Sequence, residues 1–344
     1  MSDVGVGEGV RVGVLGCGRI GKMHAELLAR QVPGASVAKV FDVYAAGATA
    51  VGAALGVPVA ATAKELIESP DVDAVAICTS TDTHVELMVA AARAGKAIFC
   101  EKPISLDLAA VDAALAVVNS AGVPIQIGFN RRWDPSHASV RQAVVDGAVG
   151  DLHLVRITSR DPAPPPVAYV RVSGGIFLDM TIHDFDMARF VTGSEVTEVY
   201  ATGAVRVDPA IGEAGDLDTV AIMLTHENGC ITMIDNSRQA VYGYDQRVEA
   251  FGSKGMAQSE NPRGHSGTVS TEAGTSAATI PYFFLDRYIP SYVNEWDAFV
   301  AMVRDKTPSP VPAEAGRAPL VIGLAALRSV QEHRPVRTAE ITGG

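Results

Sequence analysis

Hydrophobic and polar positions along the first 130 residues follow two alternating patterns. Short uninterrupted apolar runs predict strands buried on both faces, at 10–15, 37–41, 74–77, 97–100 and 124–129. Between them, apolar residues spaced three or four apart predict helices at 20–31, 45–55, 63–68, 84–94 and 106–121. Strands that alternate with helices indicate a parallel sheet covered by helices on both faces, which is an α/β arrangement.

The pattern changes after about residue 130. A helix is expected at 135–146, and alternating positions then predict strands at 152–159, 196–207, 219–225, 230–237 and 246–251. Glu227-Asn228-Gly229 is typical of a hairpin turn, and these strands lie too close together for βαβ crossovers. Helical patterns return at 288–304 and 315–333. We therefore predict two domains, residues 1–130 and 131–344, the second with an antiparallel sheet and C-terminal helices.

Composition and charge restrict the possible partners. The chain has 344 residues, 48% of them hydrophobic, which is enough for two domain cores. The formal net charge of −11 repels phosphate backbones and anionic lipids, so we expect no nucleic acid or membrane partner and favour a small neutral substrate. The uncharged stretch 44–63 is mostly Ala and Gly and contains Pro58, which favours buried elements over a membrane span.

The cysteines and the N-terminus bear on the compartment. Cys17, Cys78, Cys100 and Cys230 form no CxxC pair, and no His stands at metal-ligand spacing from them, so we expect neither a metal site nor a disulfide framework. The first residues lack a basic region followed by an apolar run, so no signal peptide is expected. We predict reduced thiols and a cytoplasmic protein.

A glycine-rich turn predicts a dinucleotide site. The run Gly16-Cys17-Gly18-Arg19-Ile20-Gly21 fits G-x-G-x-x-G, follows a predicted strand and opens a predicted helix. Its glycines allow close approach of the backbone to a pyrophosphate, which then faces the helix N-terminus. Asp42, at the end of the next strand, suits a ribose 2′-hydroxyl and repels a 2′-phosphate, which favours NAD over NADP.

Two further strand ends carry candidate chemistry. Thr79-Ser80-Thr81-Asp82-Thr83-His84 follows the strand at 74–77, where hydroxyls could contact ribose or phosphate; alternatively Thr81 or Asp82 caps the next helix. Glu101-Lys102-Pro103 follows the strand at 97–100, and a Lys before Pro is held extended, with a bond that can be cis. Lys102 could polarise a substrate oxygen, or it could be an ordinary surface lysine.

One segment of the second domain predicts a proton acceptor. After Gly174-Gly175, a helical pattern places Asp179 and His183 four residues apart, on one helix face. A carboxylate beside an imidazole can hold a base near neutral pH. Alternatives remain: the pair could be structural or half of a metal site without an evident third ligand, and Asp184 and Asp186 could be solvated or paired with Arg189.

These motifs together resemble the Gfo/Idh/MocA oxidoreductases. The resemblance covers nearly the whole chain and rests on the loop 16–24, on Glu101-Lys102-Pro103, and on Gly174-Gly175 followed by Asp179-x-x-x-His183. Three other stretches look more narrowly like the inositol dehydrogenases of that family. These are Ser159-Arg160-Asp161-Pro162, Asn236-Ser237-Arg238 with Tyr242-Gly243-Tyr244-Asp245, and Phe284-Leu285-Asp286-Arg287-Tyr288.

The resemblance implies an N-terminal Rossmann domain that binds NAD and a C-terminal α+β domain whose open antiparallel sheet forms subunit contacts, often in a homotetramer. It implies a catalytic group of Lys102, Asp179 and His183. The residues it places against the cofactor are Gly16, Gly18, Arg19, Ile20, Asp42, Thr79, Ser80, His84, Glu101 and Lys102. The residues it places against the substrate are Lys102, Arg131, Asp161, Asp179, His183 and Tyr244.

The resemblance further implies NAD-dependent oxidation of a ring hydroxyl of myo-, scyllo- or chiro-inositol to an inosose. His183 would take the hydroxyl proton, Asp179 would orient the imidazole, and Lys102 would hydrogen-bond the same oxygen. A dehydrogenase of an aldose or related sugar is the main alternative, and a non-catalytic NAD-binding regulator is another. The family includes such regulators, but loss of the Lys or His would be expected there.

Overall fold

The apolar runs of the first 130 residues form a five-stranded parallel sheet with the order β2-β1-β3-β4-β5. The computed structural model describes residues 9–343, so the first eight residues of the predicted N-terminal domain lie outside the described part. Most strand residues are buried because helices cover both faces of the sheet. The strands are β1 (Val10–Leu15), β2 (Ala35–Phe41), β3 (Ala74–Ile77), β4 (Ala97–Glu101) and β5 (Ile125–Gly128).

The helices between these strands begin and end as their sequences require. Asp107 accepts hydrogen bonds from the amides of Ala109 and Ala110 and so caps α5. Gly56 and Gly122 follow α2 and α5 in left-handed conformations, which glycine adopts without strain. The helices are α1 (Arg19–Arg30), α2 (Ala45–Leu55), α3 (Ala63–Glu68), α4 (His84–Arg93) and α5 (Leu108–Ala121).

The first compact unit contains more than the expected N-terminal domain. Besides the described residues up to Asn130 it includes Tyr292–Ala318, a segment that the sequence division assigned to residues 131–344. Trp296 stacks on Phe99 with ring centroids 4.3 Å apart, and Phe299 meets the same ring edge-on at 5.9 Å. These aromatic side chains complete the core beside the parallel sheet, which explains why the segment belongs to this unit.

The second unit is built on a seven-stranded sheet with the order β11-β10-β6-β9-β8-β7-β14. The sheet is mixed, because β6 pairs with β9 in parallel, so the expected antiparallel sheet is corrected at this pair. The long connection through β7 and β8 allows β9 to run alongside β6 in the same direction. The strands are β6 (Leu152–Arg160), β7 (Val196–Ala204), β8 (Thr219–His226), β9 (Ile231–Ser237), β10 (Asp245–Gly252), β11 (Gly255–Ser259) and β14 (Val336–Arg337).

Helices cover the inner face of this sheet. Strand residues such as Ile157, Ile222 and Ile234 alternate inward and pack with Phe185 and Ala325 from helices. Short or exposed elements without an apolar periodicity were not predicted: α7, α10, β11, β14 and the hairpin β12 (Thr268–Thr271) with β13 (Gly274–Ala277). The helices are α6 (Pro135–Val145), α7 (Val167–Val170), α8 (Gly175–Asp179), α9 (Ile182–Thr192), α10 (Pro209–Glu213), α11 (Phe284–Asp305) and α12 (Ala313–Glu332).

The prediction of an α/β fold with an N-terminal parallel sheet is thus confirmed. Across residues 9–343, no helix combines the length and the apolar character that crossing a bilayer requires.

Candidate active site

The glycine-rich turn between β1 and α1 is shaped for close approach of a ligand. Gly16 has a φ of +95°, and a Cβ there would lie 2.5 Å from the Cys78 carbonyl oxygen. A Cβ on Gly21 would lie 1.9 Å from the Gly16 carbonyl oxygen, so the turn tolerates no side chain there. A Cβ on Gly18 would meet nothing within 4 Å. The start of α1 is therefore open at Gly18, where a pyrophosphate can meet backbone amides.

Asp42 ties the glycine-rich turn to the end of β2. Its Oδ2 accepts a hydrogen bond from the Cys17 amide at 2.6 Å, and its Oδ1 accepts one from the Tyr44 amide at 2.8 Å. Both oxygens keep further acceptor capacity, which can serve a ribose hydroxyl. The next two residues, Val43 and Tyr44, are 93% and 72% exposed. This arrangement fits NAD, because a 2′-phosphate would stand beside a fixed carboxylate.

The segment after β3 forms a short 3-10 turn at Thr81–Thr83. The Thr83 hydroxyl lies 2.7 Å from the Thr79 hydroxyl and 2.9 Å from the Ser80 carbonyl oxygen. Thr81 and Asp82 lie within this turn, and the residue that directly precedes α4 is Thr83, whose side chain makes no cap. The alternative of a cap by Thr81 or Asp82 is therefore wrong. Ser80 is exposed and Thr79 half-buried, which leaves their hydroxyls available for a ligand.

His84 joins two of the segments expected at the cofactor. Its buried ring places Nδ1 2.8 Å from the Pro103 carbonyl oxygen and Nε2 3.1 Å from the Thr79 carbonyl oxygen. Burial lowers the pKa of this imidazole. The Lys102–Pro103 bond is cis, as the sequence allowed. Since both ring nitrogens meet backbone carbonyls, the geometry favours a role for His84 in holding these segments, and its expected contact with the cofactor stays a prediction.

Glu101 is held by a pair of residues that the sequence did not reveal. The His24 Nε2 lies 2.8 Å from Glu101 Oε1, and the indole nitrogen of Trp296 lies 2.8 Å from His24 Nδ1. An indole N–H can only donate, so Nδ1 is the acceptor and Nε2 carries the hydrogen that it donates to Glu101. Trp296 thereby fixes the tautomer of His24 and the direction of the Glu101 carboxylate, one residue before Lys102.

In the second unit, the helix expected across Asp179 and His183 is interrupted. Helix α8 ends at Asp179, and α9 begins at Ile182. The Thr181 amide donates to the Ile176 carbonyl oxygen at 2.8 Å, five residues back, which widens the turn. The Thr181 hydroxyl also donates to Asn236 Oδ1 at 2.6 Å. Asp179 therefore closes one helix while His183 lies in the first turn of the next, which corrects the expected single helix.

Asp179 and Asp161 share a cation, Arg238, whose place in the site was not predicted from the sequence. Arg238 Nη1 lies 2.9 Å from Asp179 Oδ2 and 3.8 Å from Asp161 Oδ2. The Tyr169 hydroxyl donates to Asp179 Oδ1 at 2.8 Å. Burial raises the pKa of Asp161 to about 6, against the opposing effect of Arg238. The position of Arg238 directly after β9 was the available signal, since ligands gather at strand ends.

Arg131 and Tyr244 belong to a buried polar network. Arg131 donates to Asp184 Oδ1 at 2.6 Å and to the Ser159 hydroxyl at 2.9 Å, and its Nη2 lies 3.4 Å from the Tyr244 hydroxyl. Asn236 donates to the second oxygen of Asp184 at 2.8 Å. Arg131 and Tyr244 are both buried, and their observed contacts are with other residues of this network. Their expected contact with the substrate stays a prediction.

The neighbouring acids also differ from the expectation. Asp184 and Asp186 are neither solvated nor paired with Arg189: Asp184 pairs with Arg131, and Asp186 pairs with Arg132 at 2.5 Å. Arg189 instead pairs with Glu195. Burial raises the pKa of Asp184. Among residues 9–343, no group of three or more His, Cys, Asp or Glu side chains is arranged to hold a metal ion.

The candidate residues thus fall on two units. Those expected at the cofactor, Lys102 included, lie in the first unit, and Arg131, Asp161, Asp179, His183 and Tyr244 lie in the second. Within the second unit, Arg238 brings Asp161 and Asp179 together. The first group fits a dinucleotide and the second offers hydroxyl donors and acceptors, which is a chemistry suited to a polyol.

Comparisons with known proteins match both units. A model described as the oxidoreductase family, NAD-binding Rossmann fold, matches residues 10–129, and the GFO/IDH/MocA C-terminal domain matches residues 137–258. The myo-inositol 2-dehydrogenase of Thermotoga maritima is 48% identical over 335 residues, 97% of this chain and 100% of that protein. The inositol 2-dehydrogenase of Rhizobium meliloti is 47% identical over 330 residues, 96% of this chain and 99% of that protein.

A solved structure agrees with these relatives. The crystal structure of scyllo-inositol dehydrogenase from Lactobacillus casei with bound cofactor NAD(H) and scyllo-inositol superposes with a TM-score of 0.90. It is 31% identical, and the match covers 96% of this chain and 99% of that one. This chain belongs to the Gfo/Idh/MocA oxidoreductase family, and its first unit is that family's NAD-binding Rossmann domain.

Proposed function

We propose that this protein is an NAD-dependent dehydrogenase that oxidises one ring hydroxyl of an inositol to an inosose. The observation that carries the proposal is the match to the Lactobacillus casei enzyme, whose structure holds NAD(H) and scyllo-inositol. The Thermotoga maritima relative supports it, because that similarity extends over the whole of a protein named myo-inositol 2-dehydrogenase. The fold alone would support only the class of reaction, since related folds serve many substrates.

The first unit would hold the cofactor along its strand ends. Backbone amides at Gly16–Ile20 would meet the pyrophosphate, with Arg19 beside them, and Asp42 would accept hydrogen bonds from the ribose. Thr79 and Ser80 would contact the cofactor with their hydroxyls, and Glu101 and Lys102 would lie toward its nicotinamide end. When bound, NAD supplies the acceptor for the hydride that leaves the substrate carbon.

The catalytic roles are divided among three side chains. His183 would accept the proton of the substrate hydroxyl, and Asp179 would orient the imidazole and stabilise its protonated form. Lys102 would donate a hydrogen bond to the same oxygen and stabilise the negative charge that develops there. Each role uses a property that the side chain has. His183 is the proton acceptor, Asp179 is the anion and Lys102 is the cation.

Recognition of the ring would rest on the polar side chains of the second unit. Asp161 and Asp179 accept hydrogen bonds from hydroxyls, and Tyr244 and Arg131 donate them. Arg131 would act mainly by fixing Tyr244, given its buried ion pair with Asp184. A site built this way rejects a ring that lacks a bonded hydroxyl, because a buried polar group then stays unpaired.

The test is a substrate panel with NAD, measured by the absorbance of the reduced cofactor. We expect the highest kcat/KM for myo- or scyllo-inositol, with D-glucose and an open-chain polyol well below. Lys102→Met and His183→Ala serve as controls and should each lower kcat at least about a hundredfold while nearly preserving NAD affinity. Oxidation of glucose with every inositol inert would replace the proposal with an aldose dehydrogenase. A protein that binds NAD and oxidises nothing would indicate a regulator.

We also propose that the outer face of the seven-stranded sheet joins copies of the chain in a homotetramer. Tyr200, Met223 and Met233 lie directly opposite one another on β7, β8 and β9, and all three are exposed. Their strand neighbours point inward into the core, so these side chains form an apolar row on an uncovered face.

We further propose that the protein works in the cytoplasm. The four free, buried thiols support a reducing compartment of this kind.

A further inference from the structure

Helix α8, which ends at Asp179, is fixed at its beginning by Asp216. The Ile176 amide donates to Asp216 Oδ1 at 3.0 Å. Gly174 and Gly175 have φ values of +86° and +75°, in the left-handed region that favours glycine. A Cβ on Gly175 would lie 2.7 Å from Asp216 Oδ1. The double glycine therefore provides both the turn and the space that the carboxylate of Asp216 needs.

Arg238 fixes the other end of this short helix. Its side chain is 2% exposed, and its backbone amide donates to the Asp218 carbonyl oxygen at 2.8 Å. Nη1 donates to Asp179 Oδ2 at 2.9 Å, and Nη2 lies 4.0 Å from Asp216 Oδ2. One guanidinium thus faces the carboxylates at both ends of α8. Because a guanidinium does not lose its proton in proteins, this cation is permanent.

Tyr169 holds the second oxygen of the same carboxylate. Its hydroxyl donates to Asp179 Oδ1 at 2.8 Å from α7, in the Pro-rich segment that follows β6. Burial and the adjacent Asp179 raise the pKa of this phenol, so it keeps its proton and donates. The two oxygens of Asp179 therefore accept hydrogen bonds from two different parts of the chain. Two charge-assisted hydrogen bonds of this kind fix both the position and the rotation of a carboxylate.

The charge balance of the cluster speaks against a purely stabilising role. Arg238 stands among three carboxylates, those of Asp161, Asp179 and Asp216, at 2.9–4.0 Å. Burial raises the pKa of Asp216 as it does that of Asp161. Asp179 repels these two carboxylates and so helps to raise the pKa of each, and partial burial makes this repulsion costly. Clusters of carboxylates whose pKa values are perturbed in this way are characteristic of functional sites.

We propose that Arg238 and Tyr169 are positioning residues that clamp the Asp179 carboxylate and hold it in one orientation toward its partner in catalysis. This inference rests on the role proposed above for Asp179. It assigns to the residue after β9 and to the Pro-rich segment an influence on the proton transfer that acts through Asp179. The charged groups near Asp179 include Asp161 and Asp216, and Arg131 acts on Asp161. His183 lies four residues further along the chain.

Tyr169→Phe provides the gentler test, because it removes one hydroxyl from a partly exposed ring. We expect kcat for inositol oxidation to fall about tenfold, as loss of a hydrogen bond to a charged group implies. NAD affinity should be unchanged, and the acid limb of the kcat–pH profile should move to higher pH, because the carboxylate loses a donor. Tyr282→Phe, at an exposed tyrosine of the same unit, is the matched control. An unchanged kcat and pH profile in Tyr169→Phe would overturn the clamp.

Variants at Arg238 provide the second test of the clamp on Asp179. Arg238→Lys keeps the cation and should retain more activity than Arg238→Met, in which we expect a loss of at least about a hundredfold. Arg189→Lys, in a separate ion pair of the same unit, controls for general effects of the exchange. Equal activity of Arg238→Lys and the wild type would contradict the need for a guanidinium. If Arg238→Met does not fold, the Lys variant and Tyr169→Phe still decide the matter.

A measurement on the free protein separates this inference from the proposed function. Carboxyl-carbon NMR of aspartate-labelled protein can follow the titration of Asp161. Burial raises the pKa of this group to about 6, and Arg238 opposes the rise. In folded Arg238→Met, or in Arg238→Gln if the Met variant does not fold, this pKa should rise further. If the wild type oxidises no inositol, the proposed function fails, while the titration still reports on Arg238. A pKa of Asp161 that does not respond to loss of the guanidinium would refute the shared cation.

Discussion

Asp42 shapes the glycine-rich turn, and we expect it also to select the cofactor. Its two oxygens accept the amides of Cys17 and Tyr44, so the carboxylate cannot swing away from an incoming ribose. A negative charge held in place repels a 2′-phosphate more effectively than one on a mobile side chain, because a fixed charge has no lower-energy alternative. We therefore expect cofactor preference to depend on this one residue and the two amides that orient it.

We expect the wild type to prefer NAD over NADP by at least about tenfold in kcat/KM, and Asp42→Ser to narrow the gap by relieving the repulsion. Steady-state kinetics with both cofactors measures the ratio. Asp71→Ser, which removes an exposed carboxylate elsewhere in the same unit, should leave the ratio unaltered. Equal kcat/KM values for the two cofactors in the wild type would contradict this role of Asp42.

Residues with a local signature could be recognised from the sequence, and residues defined by distant partners could not. Gly16 and Gly18 follow a strand and open a helix, so the motif and the structure agree. Arg131 pairs with Asp184, 53 residues away, and Arg238 meets Asp179, 59 residues away. Nothing in the spacing of such residues tells which arginine meets which acid, because the pairing is decided by how distant segments pack in three dimensions.

At the scale of elements, the interruption between α8 and α9 was the main departure from the sequence pattern. Helical periodicity continues through Asp179 and His183, and the residues between them keep right-handed helical dihedrals. The break arises because the Thr181 hydroxyl bonds Asn236 on β9, a tertiary contact that overrides local propensity. The strands and α-helices between residues 10 and 128 were predicted to within two residues at each end, since their apolar patterns are long and regular.

The link from α11 to β4 gives a prediction at the same scale. Trp296→Phe removes the donor to His24 and should lower the free energy of unfolding by about 1–3 kcal/mol, the cost of leaving a buried acceptor unpaired. It should also weaken NAD binding, because the tautomer that directs Glu101 is no longer fixed. Denaturant unfolding and NADH fluorescence titration measure the two effects.

Phe299→Leu is the control for lost aromatic packing in this cluster, since Phe299 contacts the same rings through apolar atoms. It should lower stability without changing NAD affinity. If the two variants alter NAD affinity equally, the hydrogen-bonded chain through His24 has no part in positioning Glu101.

At the scale of the whole molecule, the outer face of the seven-stranded sheet is the surface that we expect to contact other copies of the chain. A sheet with one face in water normally alternates apolar and polar residues, whereas here exposed Met and Tyr side chains continue across three strands. Burying such a row between copies of the chain would remove apolar surface from water. This uncovered row supports the homotetramer proposed above.

We expect Met233→Glu to dissociate the assembly into smaller species, because it places a charge in the middle of the apolar row. Light scattering after size-exclusion chromatography measures the mass, and circular dichroism checks that the subunit stays folded. Val145→Glu, at an exposed apolar position on α6, should leave the mass as in the wild type. A wild-type protein that elutes as a monomer would reject the tetramer.

The inclusion of Tyr292–Ala318 in the first unit has a consequence for synthesis of the chain. Phe99 is buried under Trp296 and Phe299, so a nascent chain that ends at Asn130 has a complete parallel sheet but an uncovered aromatic core. Domains usually fold in the order in which the ribosome releases them. Here the cofactor domain must wait, partly folded, while the intervening strands and helices are translated. The second unit waits as well, because it needs Pro319–Thr342, so each unit is completed only by a segment near the C-terminus.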